Sequence, residues 1–170
     1  RVLAARGLDE AVTWSFIPEA DAAHFVLRRA RDDRGEGGLW LLENPISEDM
    51  KAMRPSLLPG LLAAAKRNLD RGAGGVRLFE IGRRYLRGEN GRSDERMTVG
   101  VLLAGEKRSR EWASGKASAF DAFDAKAEGL ALLEAVGAPV ANLQVMGEAG
   151  PQFHPGQSAT LRLGPNTVLA

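Results

Sequence analysis

The feature that most constrains the fold is a pair of strand-like segments in the middle of the chain, separated by a polar turn. Val76–Ile81 has the residue types of a strand that continues past Gly82 to Tyr85, and Met97–Ala104 is almost entirely apolar. A near-continuous apolar run bounded by turn residues predicts a central strand buried on both faces. Two such strands joined by the turn Gly88–Asp94 favour antiparallel pairing.

Apolar residues at helical spacing predict two long helices. The first begins at Ser56 as its N-cap and runs to about Arg71, with Pro59 in the first turn and Gly72 as its stop. The second covers residues 119–136. The apolar faces consist of Leu57, Leu58, Leu61, Leu62, Ala65 and Leu69 in the first helix and Phe120, Phe123, Ala127, Leu130 and Leu133 in the second.

Shorter elements flank these segments. Val12–Ile17 alternates large apolar with small polar residues, which predicts a strand with Val12, Trp14 and Phe16 on one face. Residues 1–7 have the pattern of a helix end stopped by a glycine. The other predicted elements are a helix opened by Pro18 and running to about Leu27, a short buried strand Leu39–Leu42, and strands beginning at Leu143 and covering Ala159–Leu163 and Thr167–Leu169.

Consecutive strands joined by short turns, with two long helices, favour an α+β domain. We expect a mostly antiparallel sheet with the helices on one face. A chain of 170 residues fits one domain, so residues 1–170 are taken as a single unit. Because the sequence lacks an initiator Met and stops within an apparent hairpin, we expect a piece truncated at both ends of a longer protein.

Composition excludes several classes of function. Lys and Arg number 23 against 22 Asp and Glu, so the chain lacks the basic excess of a free-standing nucleic-acid binder. With no cysteine, the chain has no disulfide, thiolate metal site or cysteine nucleophile. No apolar run approaches the roughly 18 residues of a membrane span, so no membrane association is expected.

Three carboxylates and one histidine occupy positions where chemistry is conceivable. Glu80 interrupts an apolar strand, and we expect it to be exposed or paired with an arginine such as Arg54. Asp121 and Asp124 fall three apart at a predicted helix start, where acids are favourable through the helix dipole alone. His154 lies in a turn-like segment that favours a local hydrogen bond. An independent carboxylate-based enzyme would need these acids to converge in one pocket.

Two groups of cations leave an RNA-contacting role open. Arg28–Arg34 mixes arginines with acids, which favours a solvated loop. Lys66–Arg71 lies at a predicted helix end, where cations complement the dipole. RNA binding through either group would be steeply salt dependent, and the near-zero net charge argues against it.

Several segments, taken in order, resemble one known family. They are residues 7–16, Asn44–Met50, Met53–Leu62, Asn68–Arg71, Leu78–Arg83, Asp121–Ala127 and His154–Ala159. Each motif alone is weak, but the ordered set is similar to the catalytic-like domain of the beta subunits of bacterial phenylalanyl-tRNA synthetases. The similarity extends over nearly the whole chain.

The resemblance implies a class II aminoacyl-tRNA synthetase-like fold, an antiparallel sheet flanked by helices. In that family the alpha subunit carries the active site, and the similar beta domain is inactive and packs against alpha within an (αβ)2 heterotetramer. This implies a structural role in the ATP-dependent charging of tRNA(Phe), in the cytoplasm. The beginning of the chain corresponds to the dimer-forming first motif, so Leu3, Trp14 and Phe16 are the expected subunit-interface residues.

The resemblance also implies that this domain binds no nucleotide. A working second motif presents an arginine to ATP, and here the strand Leu78–Tyr85 places Leu86 about where that arginine would be. Arg87 follows one position later, which on a strand turns it to the other face. A site without guanidinium groups loses its main electrostatic stabilisation of the triphosphate. The resemblance therefore implies no catalytic, cofactor-binding or metal residues in this chain, while the whole enzyme uses ATP and magnesium.

Overall fold

The computed structural model describes residues 1–26, 38–88, 91–113, 115–147, 149–165 and 167–170. In these ranges the helices are α1 Val2–Ala5, α2 Glu19–Ala23, α3 Leu58–Asp70 and α4 Ala122–Ala135, with 3-10 turns at Glu48–Met50 and Val140–Asn142. The strands are β1 Asp9–Glu10, β2 Phe16–Ile17, β3 Ala52–Met53, β4 Gly75–Arg87, β5 Ser93–Arg108, β6 Ser118–Ala119, β7 Gln144–Gly147, β8 Ala159–Leu163 and β9 Thr167–Val168.

A long antiparallel pair forms the centre of the molecule. Strands β4 and β5 pair from Gly75 opposite Gly105 to Arg87 opposite Ser93, and Leu78 stands opposite Leu102 between them. This confirms the strand pair predicted from the two central segments and the continuation of the first strand past Gly82 to Tyr85, and the strand extends two residues further, to Arg87. Parallel β1 lies beside β4 and antiparallel β6 beside β5, giving the order β1-β4-β5-β6.

The central sheet is covered by helices on both faces, so the expectation of helices on one face is wrong. On one face, α3 packs through Leu57 and Leu61 against Leu78 and Leu102. On the other face, α1 and its following loop join Phe79, with Leu132 of α4 packed nearby. The reason is the period of the strands, since large apolar residues at both odd and even positions need cover on two sides.

Central strand β5 is less buried than its apolar run predicts. Leu102 is buried, whereas Met97 is 66% exposed and Val99 only half-buried. The covering helices reach the Gly105 end of the hairpin, and β5 extends past them at the other end. Burial on both faces is therefore confirmed for only part of the strand.

The helix predicted from residue 56 to about residue 71 is confirmed with a small shift at its beginning. Helix α3 begins at Leu58, its N-cap is Leu57, and Ser56 Oγ accepts a hydrogen bond from Leu58 N over 3.2 Å. Pro59 falls in the first turn as predicted. Gly72 has a φ of 94°, the left-handed conformation expected of a glycine that ends a helix.

The second helix is confirmed in place, but its predicted apolar face is partly wrong. Helix α4 begins at Ala122, with Asp121 as N-cap. Phe123 is 77% exposed, and Leu132 is the α4 residue that packs against the Leu3–Leu8–Phe79 cluster. A spacing of three residues falls short of a full helical turn, so a row of such residues drifts around the helix. The spacing therefore selected a face next to the one that packs on the sheet.

Three shorter predictions need correction. The strand predicted over Val12–Ile17 is reduced to Phe16–Ile17, which pair with β3, because the Thr13 N–H bonds to the side chain of Glu80 where a strand residue would bond to a neighbouring backbone. Leu39–Leu42 forms only an isolated bridge at Leu41. The helix after Pro18 ends at Ala23, and Leu27 lies outside the described residues.

The last part of the chain forms a separate sheet. Strands β7, β8 and β9 are antiparallel neighbours in that order and confirm the predicted strands near the end of the chain, with β9 one residue shorter than predicted. None of the helices in the described ranges combines the length and hydrophobicity that a bilayer crossing requires.

Candidate functional site: a buried ion pair beneath an exposed segment

A buried ion pair lies between β4 and the chain that follows β3. Glu80 is on the face of β4 that α3 covers, and Arg54 reaches it from just beyond β3. Nη1 of Arg54 donates to Oε1 of Glu80 over 2.6 Å, and the two residues are 5% and 3% exposed. The predicted pairing of Glu80 with Arg54 is confirmed, so the carboxylate is not exposed.

Thr13 completes this pair as its third member. Its hydroxyl donates to Oε2 of Glu80 over 2.7 Å, and its backbone N–H donates to Oε1 over 3.2 Å. Nη1 of Arg54 also donates to Oγ1 of Thr13 over 3.0 Å. Both carboxylate oxygens of Glu80 and one guanidinium nitrogen of Arg54 are therefore committed to a three-residue group, which we call the Thr13–Arg54–Glu80 network.

Two glycines provide the space for this network. A Cβ at Gly60, in the first turn of α3, would collide with the side chain of Thr13. A Cβ at Gly82, on β4, would collide with Nη2 of Arg54. Glycine inside a helix or strand weakens that element, so its presence here is explained by the close approach of a side chain.

The network fixes the backbone around it. Nε of Arg54 donates to the carbonyl of Arg83 over 2.9 Å, and the Arg54 N–H donates to the carbonyl of Ser15 over 2.9 Å. The Ala11 N–H donates to the carbonyl of Phe79 over 2.8 Å. Residues 11–15 are thus held against β4 although they belong to no strand.

The residues on either side of Thr13 project outward. Val12 is 90% exposed and Trp14 is 73% exposed. Large apolar side chains at such exposure, on a segment held by buried polar contacts, form a candidate contact surface. We call Val12 and Trp14 the exposed pair.

The other two expected interface residues lie elsewhere. Leu3 is 3% exposed because it packs with Leu8 and Phe79 of its own chain, so its burial needs no partner. Phe16 is half-buried in β2, opposite Met53. The interface role of these residues and of Trp14 stays a prediction.

The positions compared with the second motif are engaged within the chain. The carbonyl of Leu86 accepts a hydrogen bond from Nε1 of Trp40 over 3.2 Å. The guanidinium of Arg87 lies 5.5 Å from the centre of the Trp40 ring, a cation–π contact. Sequence reasoning did not identify Trp40 as the residue that joins these two positions.

The three carboxylates do not converge, so the hypothesis of an independent carboxylate-based enzyme is wrong. Glu80 lies beneath α3, whereas Asp121 and Asp124 form a capping box at the beginning of α4, on the opposite face of the sheet. The hydrogen bond from Lys107, with that from the Asp121 N–H, holds the pKa of Asp124 below its usual value. The predicted structural use of Asp121 and Asp124 at the beginning of the helix is confirmed.

His154 and Lys66 of α3 make local contacts. Nδ1 of His154 accepts a hydrogen bond from the Gly156 N–H over 3.1 Å, as expected of a turn. Lys66 forms an exposed ion pair with Asp70 at 2.6 Å. The segment Arg28–Arg34 lies outside the described residues. RNA contact by either cation group stays a prediction.

The family model described as the phenylalanyl tRNA synthetase beta chain CLM domain matches residues 1–168. The chain belongs to this family. The phenylalanine–tRNA ligase beta subunit of Novosphingobium aromaticivorans is 70% identical over 170 residues, and that of Zymomonas mobilis is 55% identical. Each alignment covers 100% of this chain and 20% of the relative, so the chain spans about a fifth of the length of the curated relatives it matches. The resemblance inferred from the ordered motifs is confirmed.

Solved structures confirm the fold class. One structure of pyrrolysyl-tRNA synthetase from Desulfitobacterium hafniense aligns with a TM-score of 0.56 over 95% of this chain and 50% of that chain. A second structure of a pyrrolysyl-tRNA synthetase from that organism gives 0.55 over 88% and 45%. At 17% identity this likeness concerns the fold alone, which is of the class II aminoacyl-tRNA synthetase type.

Proposed function

We propose that this chain is a non-catalytic domain of a phenylalanine–tRNA ligase beta subunit that packs against the alpha subunit. It supports the charging of tRNA(Phe) within an (αβ)2 heterotetramer in the cytoplasm, where the whole enzyme uses ATP and magnesium. The observation that carries the proposal is the exposed pair, Val12 and Trp14, in a chain that belongs to the beta-chain family. The relatives are named as beta subunits, and this name supports the existence of a partner subunit.

The chemistry of the central sheet supports the non-catalytic part of the proposal. The guanidinium of Arg54 lies on the sheet face beneath α3, where the carboxylate of Glu80 neutralises its charge. Leu86 occupies the position compared with the ATP-binding arginine, and Arg87 stacks on Trp40. Stabilising a triphosphate needs donors aimed at the phosphate oxygens, whereas these guanidinium groups are aimed at Glu80 and at an indole ring.

The packing role is tested in the full-length beta subunit paired with alpha. We expect Trp14→Ala to weaken the alpha–beta affinity about tenfold or more, because truncation of an aromatic hot-spot residue costs roughly 2 kcal/mol or more and each 1.4 kcal/mol is about tenfold. Trp112→Ala is the matched control, since Trp112 is 100% exposed in another loop, and it should change the affinity less than twofold. Subunit exchange with labelled alpha measures both variants. Equal affinities for the Trp14→Ala and unsubstituted proteins would overturn the packing role at this surface.

The non-catalytic role has a separate measurement. The beta subunit without alpha should not exchange pyrophosphate into ATP in response to phenylalanine. Addition of alpha should restore the exchange. Phenylalanine-dependent exchange by beta alone would overturn this part of the proposal.

A further inference from the structure

We infer that the Thr13–Arg54–Glu80 network is a positioning device for the contact surface formed by Val12 and Trp14. The inference rests on the proposed function, because the partner that this surface fits is the alpha subunit. Thr13 stands between the two exposed residues, and its hydrogen bonds set the direction in which its neighbours project.

The location of the segment explains why it needs such a device. Residues 11–15 connect β1 with β2 without belonging to either strand. Polar side chains therefore replace the strand ladder at Thr13, where Glu80 accepts from both the amide and the hydroxyl. Side chains fixed in advance lose less conformational freedom on binding, and binding is tighter for that reason.

The polar character of the network favours positioning over stability as its role. A buried ion pair is weak evidence for stabilisation, because well-packed apolar residues of similar volume serve as well or better. A carboxylate and a guanidinium have directional contacts, and these fix one backbone arrangement. Gly60 and Gly82 weaken α3 and β4 in exchange for that arrangement.

The test substitutes the hydroxyl of Thr13 in the full-length beta subunit paired with alpha. Thr13→Val keeps the branched shape of the side chain and removes its hydrogen bonds to Glu80 and Arg54. We expect the affinity for alpha to fall about fivefold and amide exchange in residues 11–15 to quicken. The loss of affinity is smaller than that of Trp14→Ala, because a loosened backbone at residues 11–15 still presents the indole of Trp14.

The matched control is Thr160→Val. Thr160 is buried whereas Thr13 is half-buried, and the Thr160 hydroxyl likewise accepts from an arginine, Arg162, over 2.8 Å, but Thr160 lies in β8. It should change neither alpha affinity nor exchange in residues 11–15. Similar losses of affinity in both variants would overturn the inference, since loss of any threonine hydroxyl bonded to an arginine would then weaken binding.

A double-substitution cycle separates positioning from a general structural role. If Thr13 acts through the exposed pair, Thr13→Val should have less than a twofold effect on alpha affinity once Val12→Ser and Trp14→Ala are present. A structural role would give the same fivefold loss in both backgrounds. Additive losses would therefore contradict the inference.

Two further variants keep the test decisive. Thr13→Ser retains the hydroxyl and should bind alpha as the unsubstituted protein does, and a loss equal to that of Thr13→Val would overturn the inference. If Thr13→Val does not fold, Arg54→Lys carries the same expectation, because it keeps the charge beside Glu80 and loses the planar fork.

Failure of Trp14→Ala to weaken binding would refute the proposed surface. A loss with Trp14→Ala but none with Thr13→Val would refute only the positioning role.

Discussion

Two helical glycines differ in what surrounds them. Gly60 in α3 faces Thr13, and a Cβ there would collide with the Thr13 side chain. Gly129 in α4 has no atom near the place of an added Cβ. Alanine is the better helix former by about 1 kcal/mol, so a helical glycine persists most readily where a Cβ has no room.

We predict opposite effects of alanine at these two positions. Gly60→Ala should lower the free energy of unfolding by about 1–3 kcal/mol, because overpacking displaces Thr13. Gly129→Ala should raise it by about 0.5–1 kcal/mol through helix propensity. Urea unfolding of the chain followed by circular dichroism measures both. A stabilising Gly60→Ala would contradict the close contact with Thr13.

The two long helices are held in different ways. Helix α3 contributes Leu61, Ala64 and Ala65 to the core, whereas α4 contains no buried residue in the described structure. Helix α4 instead begins with the reciprocal capping box of Asp121 and Asp124. Its stability therefore depends more on local polar contacts, which respond to pH.

We predict an acid-sensitive contribution from Asp124. Its pKa is lowered in the folded chain, so its stabilising effect is complete above the unfolded value of 3.8 and is lost as the pH falls through the lower folded pKa. Asp124→Asn should therefore lower the urea midpoint at pH 6 and have a much smaller effect at pH 2. The control is the same substitution in the Lys107→Gln background, which lacks the cation paired with Asp124 and should show a smaller pH-dependent difference. An equal loss at both pH values for Asp124→Asn would contradict the charge-based explanation.

The sheets in the described part of the chain differ in how far helices cover them. Strands β4 and β5 carry helices on both faces over the part of the pair near Gly75 and Gly105. The β7–β8–β9 sheet pairs with neither of them, and its Val145 and Met146 are 53% and 41% exposed. Elements with fewer buried contacts open at lower free energy.

We predict that amide exchange will follow this difference in the isolated chain. Peptides from β4 and β5 should exchange far more slowly than peptides from β7 to β9, because the central amides lie between two covered faces. Hydrogen exchange with mass spectrometry measures both sets in one sample. Slower exchange in β7 to β9 would show that this sheet, and not the central pair, is the most stable part.

Sequence patterns located the large elements because each leaves a local signal. The helix stop at Gly72, the capping acids of α4 and the apolar run of β5 all depend on residues near one another in the chain. The alternation around Trp14 predicts a strand that does not form there, because alternation looks the same in a strand and in a backbone held by side chains. The distinction depends on Glu80, a residue far along the sequence.

Composition, spacing and ordered motifs are properties of the chain alone, so the residues were enough to infer the family and the α+β class, whereas exposure of Glu80 and its pairing with Arg54 both stayed open. The folded chain was needed to show that helices cover both faces of the sheet, that Thr13 joins Arg54 and Glu80, and that Trp14 is exposed while Leu3 is buried. Exposure and hydrogen bonding depend on which segments distant in the sequence come into contact. One pattern of apolar and polar residues is compatible with several such sets of contacts.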